Sequence, residues 1–217
     1  MILENTQSVH ENSIILESRE IFLYSMGQGD EDESIDHQTF GEFLKNLRIL
    51  ENCSSKPIII HQYSIGGYCT VGMAIFDVIK QSKCKFLFLC HGAAGSMGSI
   101  IPQAVFGKGY RITYPNCEWM LHEPVISTEG STRNMSSVIE ATSRFTTTMY
   151  DIYTDVCQHG SYFKDEKYSK VKSYIKRRIS SKQDWYLTAK EAVEYGFADA
   201  VFGDPGYETI AKIKSYL

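Results

Sequence analysis

No run in this 217-residue chain approaches the ~20 consecutive apolar residues of a membrane span, so an integral membrane protein is not expected. The opening Met1-Ile2-Leu3-Glu4-Asn5-Thr6 has no basic region ahead of an apolar one, which speaks against a secretory leader. Cys-x-x-Cys spacing is absent: Cys53, Cys69, Cys84, Cys90, Cys117 and Cys157 lie far apart, mostly inside apolar segments. They read as small buried hydrophobes in a reducing space and suggest neither zinc nor a disulfide framework. A Walker lysine and a Gly-x-Gly-x-x-Gly pattern are both missing, so no nucleotide cofactor is expected; nor is a metal, since the acidic residues 30–33 come without further ligands. Positive charge is not in excess; at a formal −4 the chain has no general attraction to nucleic acid or anionic membranes. Internal repeats and low-complexity tracts are lacking as well. What remains is ordinary globular composition, 43% hydrophobic and 22% charged. It suits one domain over 1–217 with a large core and an appendage, in the cytoplasm or an organelle's stroma or matrix.

The stretch around which the chain is organised is Cys90-His91-Gly92-Ala93-Ala94-Gly95-Ser96-Met97-Gly98, between Phe86-Leu87-Phe88-Leu89 and Ser99-Ile100-Ile101. Four bulky residues predict a buried strand, and the small residues after them let the backbone turn sharply into a helix. A serine at such a turn can face a cleft while the N–H of Met97 stays free to meet a developing negative charge. Taken alone, the same stretch also fits a glycine-rich connection whose serine merely caps the helix.

Residues 1–12 are polar and unpatterned, predicting a mobile N-terminal segment. Ser13-Ile14-Ile15-Leu16 and Ile21-Phe22-Leu23-Tyr24 read as short strands, and the acidic Gly27-Gln28-Gly29-Asp30-Glu31-Asp32-Glu33 as a solvated loop. Phe40, Phe43, Leu44, Leu47 and Leu50 recur at helical spacing, with Asp36 near the start, before the apolar strand Ile58-Ile59-Ile60-His61. Tyr63-Ser64-Ile65-Gly66-Gly67-Tyr68 then leads into a second amphipathic helix. Two consecutive strand-loop-helix units with right-handed crossovers put both small-residue turns at one sheet edge, where ligands bind in such sheets. The N–H groups of Gly67 and Met97 can therefore converge on one oxygen.

Tyr110-Arg111-Ile112-Thr113 and Glu118-Trp119-Met120-Leu121 follow as strands, the second ending at His122-Glu123-Pro124. A histidine at a strand terminus beside a proline can lean into the cleft the serine faces. Val125 to Gly130 reads as an exposed strand. After it, Met135, Val138, Ile139, Thr142, Phe145, Met149, Ile152, Tyr153 and Val156 form the stripe of a helix of about 25 residues, ~37 Å long. That exceeds what one core needs and suggests an arm packing against a partner subunit. The lysines and arginines from Lys164 to Arg178 lie on a further helix as a solvated face. Thr188 and Glu191 form a capping box, Gly196 ends that helix, Ala200-Val201-Phe202 offers a last strand, and 206–217 is a terminal helical tail.

Assembled, these residues resemble the ClpP family, the proteolytic subunit of the Clp protease, over about Ile14 to Phe202. The carriers are Ile21-Phe22-Leu23; Ser64-x-Gly66-Gly67 where the family has Ser-Pro-Gly-Gly; Gly92-Ala93-Ala94-Gly95-Ser96-Met97-Gly98; Met120-Leu121-His122-Glu123-Pro124; and Asp184-Trp185-Tyr186-Leu187-Thr188-Ala189-x-Glu191-Ala192. Departures from its pattern are Tyr63 for asparagine, Ile65 for proline, Gly95 for alanine and Glu123 for glutamine.

The resemblance implies an α/β, crotonase-like β/α superhelix with a protruding strand-helix handle, here 125–160. It implies a serine endopeptidase acting on unfolded proteins and short peptides, with a triad of Ser96, His122 and Asp184 and an oxyanion hole from the N–H groups of Gly67 and Met97. It implies no cofactor. Family members form heptameric rings, usually stacked in pairs as tetradecamers, and receive unfolded chains from a ring-shaped AAA+ unfoldase, the Clp ATPase; one ring or two are both open for this chain. Two other readings accompany it: an inactive structural ring subunit, and an acyl-CoA enzyme of the same fold, which would leave the serine and histidine without a task.

Overall fold

The computed structural model describes residues 2–24 and 35–217. The acidic loop expected over Gly27–Glu33 lies outside them. Helix α1 (Ile2–Asn12) occupies the segment whose sequence shows no pattern. It leads into an antiparallel pair, β1 (Ile14–Ile15) and β2 (Glu20–Leu23), with Ile14 opposite Ile21. Helix α2 (His37–Cys53) starts where Asp36 accepts the Thr39 N–H at 2.8 Å, and it buries Phe43, Leu47 and Leu50. That hydrogen bond also holds the Asp36 carboxyl below its usual range.

Strands β3 (Ile58–Ser64) and β4 (Phe86–Gly95), joined through α3 (Cys69–Gln81), run parallel at the centre of the sheet. Alternation along them explains their unbroken apolar runs. Ile58, Ile60, Phe86, Phe88 and Cys90 enter one core cluster, under the helices, while Ile59, Leu87 and Leu89 enter a second with Ile112, Ala200 and Ile213.

At ten residues β4 is the longest strand described, and it changes neighbour along its length. Its first half pairs with β5 (Gly109–Thr113), its last residues with β6 (Glu118–His122), both parallel. Between them α4 (Met97–Ile100) and a 3₁₀ turn, Ile101–Val105, fill the core.

Helix α5 (Thr132–Cys157) has the length the stripe predicts, but only its last turns are buried, through Met149, Tyr150, Tyr153, Val156 and Cys157. Its first half projects, leaving Ile139 54% exposed. The strand expected before it does not form: residues 123–131 carry neither helix nor strand, and Val125 is 82% exposed. A strand exists where a neighbouring backbone completes its ladder, and no described segment of this chain pairs with that stretch.

Helix α6 (Tyr168–Lys182) buries Val171, Ile175 and Ile179 and turns most of its basic side chains outward, pairing Lys170 with Glu166 and Lys172 with Asp151, while Arg178 lies half-buried over the Trp185 ring. Strand β7 (Asp184–Leu187) then runs antiparallel to β6. Thr188 caps α7 (Ala189–Tyr195) in the expected capping box with Glu191, and β8 (Ala200–Val201) and α8 (Ile210–Lys214) complete the second face. The buried Arg111 guanidinium ties β5 to that end of the chain, bonding Asp199, Gln103 and the Gly196 carbonyl. Among the described residues no helix is long and apolar enough to cross a membrane.

Candidate active site

The sheet register decides which side chains meet. Gly95 of β4 stands opposite Met120 of β6, and the Ser96 N–H continues that ladder by donating to the Met120 carbonyl at 2.8 Å. Two residues further along β6, His122 stands opposite Asp184, the first residue of β7. A serine, a histidine and a carboxylate from three segments are thereby fixed side by side.

Ser96 adopts φ 51°, ψ −122°, a conformation non-glycine residues rarely hold, and leaves strand geometry abruptly for α4. Its hydroxyl makes no capping bond; Oγ lies 2.7 Å from His122 Nε2. The helix-cap alternative therefore fails. On the far side of the ring, Nδ1 stands 3.6 Å from Asp184 Oδ1. This is ion-pair reach but beyond a hydrogen bond. His122 is 20% exposed and Asp184 42%, so the carboxylate arm is the wetter of the two. With Nδ1 protonated toward Asp184, Nε2 is the acceptor for the serine proton.

The glycine turn after β3 lies directly over Ser96. Gly66 has φ +115°, and a Cβ built on it would fall 2.4 Å from Ser96 Cβ. Gly67, at φ +147°, presses on Ile35, whose N–H donates to the Gly66 carbonyl at 2.6 Å. Only glycine fits either place. Among the described residues the Gly67 N–H has no partner, and Met97, as the first residue of α4, has none within its helix. The Gln62 side chain, buried in β3, donates to the Gly98 carbonyl at 2.7 Å and ties the two turns together.

The departures at Gly95 and Glu123 have local explanations. A Cβ on Gly95 would come within 3.1 Å of the Ile65 carbonyl oxygen, so glycine lets the two turns close up. Glu123 accepts the Tyr150 hydroxyl at 2.6 Å, which directs its carboxylate toward α5. Burial, followed by that carboxylate, pushes the Tyr150 phenol far above its usual range. Sequence reasoning passed over Ser99 and Tyr153, which lie beneath Ser96. Ser99 follows Ser96 by about one helical turn, a spacing that could have drawn attention; Tyr153 falls on the apolar stripe of α5, which marks it as a core residue and nothing more.

A groove of about 480 Å³ between α3 and α5 begins two residues past His122. Met73, Ala74, Pro124, Val125 and Phe145 give it mostly apolar walls.

Comparison with known proteins agrees with this architecture. The family model described as Clp protease matches residues 4–205. The chain is 34% identical over 152 residues to "ATP-dependent Clp protease proteolytic subunit 3" of Synechococcus sp. (strain CC9605), covering 70% of each protein. It is 31% identical over 152 residues to "ATP-dependent Clp protease proteolytic subunit 2" of Prochlorococcus marinus (strain NATL2A), again covering 70% of each. A matching fold with mostly parallel strands and a family match along almost its whole length lead to one assignment: this chain belongs to the Clp protease family.

Proposed function

We propose that this chain is a serine endopeptidase in which Ser96 is the nucleophile, His122 the general base and Asp184 the group that orients the imidazole. The observation that carries the reading is the 2.7 Å contact between Ser96 Oγ and His122 Nε2 at a strained strand-to-helix turn. As Oγ attacks a peptide carbonyl, His122 takes its proton and later returns it to the leaving amine; Asp184 stabilises the imidazolium. The N–H groups of Gly67 and Met97 bind the tetrahedral oxyanion, and water then releases the acyl group from Ser96. The groove beside Pro124 receives an apolar side chain of the substrate.

The projecting half of α5, with Met135 and Ile139 exposed, supports assembly through the 125–160 handle into a ring that encloses the sites. The relatives' names support an ATP-dependent unfoldase of the Clp type as the partner that delivers unfolded chains. One observation favours a structural ring subunit instead: the 3.6 Å gap between His122 and Asp184 leaves the triad open at one end. Labelling by a fluorophosphonate, abolished by Ser96→Ala, decides between them, and degradation of an unfolded model protein must show the same dependence. Absence of both from an assembled particle would refute the peptidase. A monomer by light scattering at micromolar concentration would refute the ring.

A further inference from the structure

The Met97 N–H can act as an oxyanion donor only if the Ser96–Met97 peptide is held at one angle. Nothing in α4, four residues long, is rigid enough to hold it alone. The contacts beneath supply the constraint. The Ser96 carbonyl accepts the Ser99 N–H at 2.9 Å and the Ser99 hydroxyl at 2.6 Å. Ser99 Oγ also lies 2.7 Å from the Tyr153 hydroxyl. Ser99 has one hydroxyl proton, and it goes to the Ser96 carbonyl, so the remaining bond is donated by Tyr153. The order is therefore Tyr153 O–H to Ser99 O–H to the Ser96 carbonyl, a directed chain whose links polarise one another.

Both side chains are fully buried, and Tyr153 is fixed edge-on against Phe197 with ring centroids 5.4 Å apart. Burial also pushes the phenol well above its usual range, so it remains a donor at any working pH. No peptide bond among the described residues is cis. Across a trans peptide the C=O and N–H point in opposite directions. Drawing the Ser96 oxygen down toward Ser99 therefore turns the Met97 hydrogen up, toward the cleft.

We propose that Tyr153 and Ser99 are positioning residues for the oxyanion hole, setting the aim of the Met97 N–H through the Ser96 carbonyl. The inference rests on the peptidase reading above. Neither side chain touches substrate; their effect falls on the transition state and leaves ground-state binding alone. A lost oxyanion donor costs about 10²–10³ in turnover, and a misaimed one a part of that, about 10-fold or more in kcat with KM unchanged.

The test is a cycle of Tyr153→Phe, Ser99→Ala and the double variant, each assayed for kcat and KM on a short peptide and for its unfolding midpoint. Ser99→Ala strands the Tyr153 hydroxyl in the core and lowers the midpoint. The double variant removes both polar groups and recovers much of it. Positioning predicts that kcat does not recover with the midpoint, and that a peptidyl boronate, whose adduct is a tetrahedral anion, loses affinity in parallel with kcat. Recovery of kcat together with stability, or wild-type kcat in all three variants, overturns the proposal. If wild-type protein neither hydrolyses peptide nor labels at Ser96, it is the peptidase reading that has failed.

Discussion

Replacing Gly66 by alanine tests the geometry of the site without removing any reacting group. The added Cβ would lie 2.4 Å from Ser96 Cβ and 2.9 Å from Oγ, so one of the two turns must retreat by about 1 Å to restore ordinary contact. A side chain at φ +115° adds backbone strain of about 1–3 kcal/mol, and the overpacking costs a similar ~1–3 kcal/mol. Misplacing a nucleophile by ~1 Å is worth about 10²-fold in rate. We expect Gly66→Ala to fold with a lowered urea midpoint and to react with a fluorophosphonate about 10²-fold more slowly than wild type. Gly107→Ala is the control. Gly107 also has positive φ, +78°, but a Cβ there meets nothing within 4 Å. It should show a small stability loss and an unchanged labelling rate. A Gly66→Ala protein that labels at the wild-type rate would show that the glycine turn does not press on Ser96.

Three further outcomes follow from the described contacts. Asp184→Asn keeps the shape of the carboxylate but not its charge; kcat on a short peptide should fall about 10²-fold or more, and an unchanged kcat would remove Asp184 from the mechanism. Arg111→Ala leaves Asp199 without its guanidinium partner, and urea unfolding should show a loss of about 3–5 kcal/mol, whereas a loss of a few tenths would mean the pair is not structural. Burial, and after it the neighbouring His61, lowers His91 from 6.5 to about 4. Between those values the unfolded chain binds the proton and the folded one does not. Stability should thus be complete above pH 6.5 and decline as pH falls toward 4, and His91→Gln should flatten that decline; an identical acid limb in the variant would contradict the assignment.

The parts of the site that were legible in the sequence are those whose proposed role imposes a local pattern. Ser96 follows a bulky strand and sits among small residues, Gly66 and Gly67 end the preceding strand, and His122 precedes a proline. Each marks a strand end, and parallel order brings strand ends together. Asp184 has no such mark. Its place beside His122 depends on β7 lying antiparallel to β6 in one register, a tertiary fact that a short apolar run cannot encode, and only family resemblance pointed to it.

Ser99 and Tyr153 were missed for the same reason, since their partnership spans 54 residues and leaves no periodicity. Helix α1 was unreadable because its apolar residues, Ile2, Leu3 and Val9, are too few among polar neighbours to define a period. The stretch from Val125 to Gly130 was misread in the opposite sense. Its β-branched residues favour extended backbone, but propensity cannot provide the second strand that a ladder requires.

The contact between Ser96 and His122 joins residues 26 apart, whereas the strand pairing that brings in Asp184 joins more distant parts of the chain. Closing the chain from His122 to Asp184 spans 62 residues against 26 for the first contact, so the carboxylate arm of the site carries the larger entropic cost of assembly and is the first to be lost when the β6–β7 pairing frays.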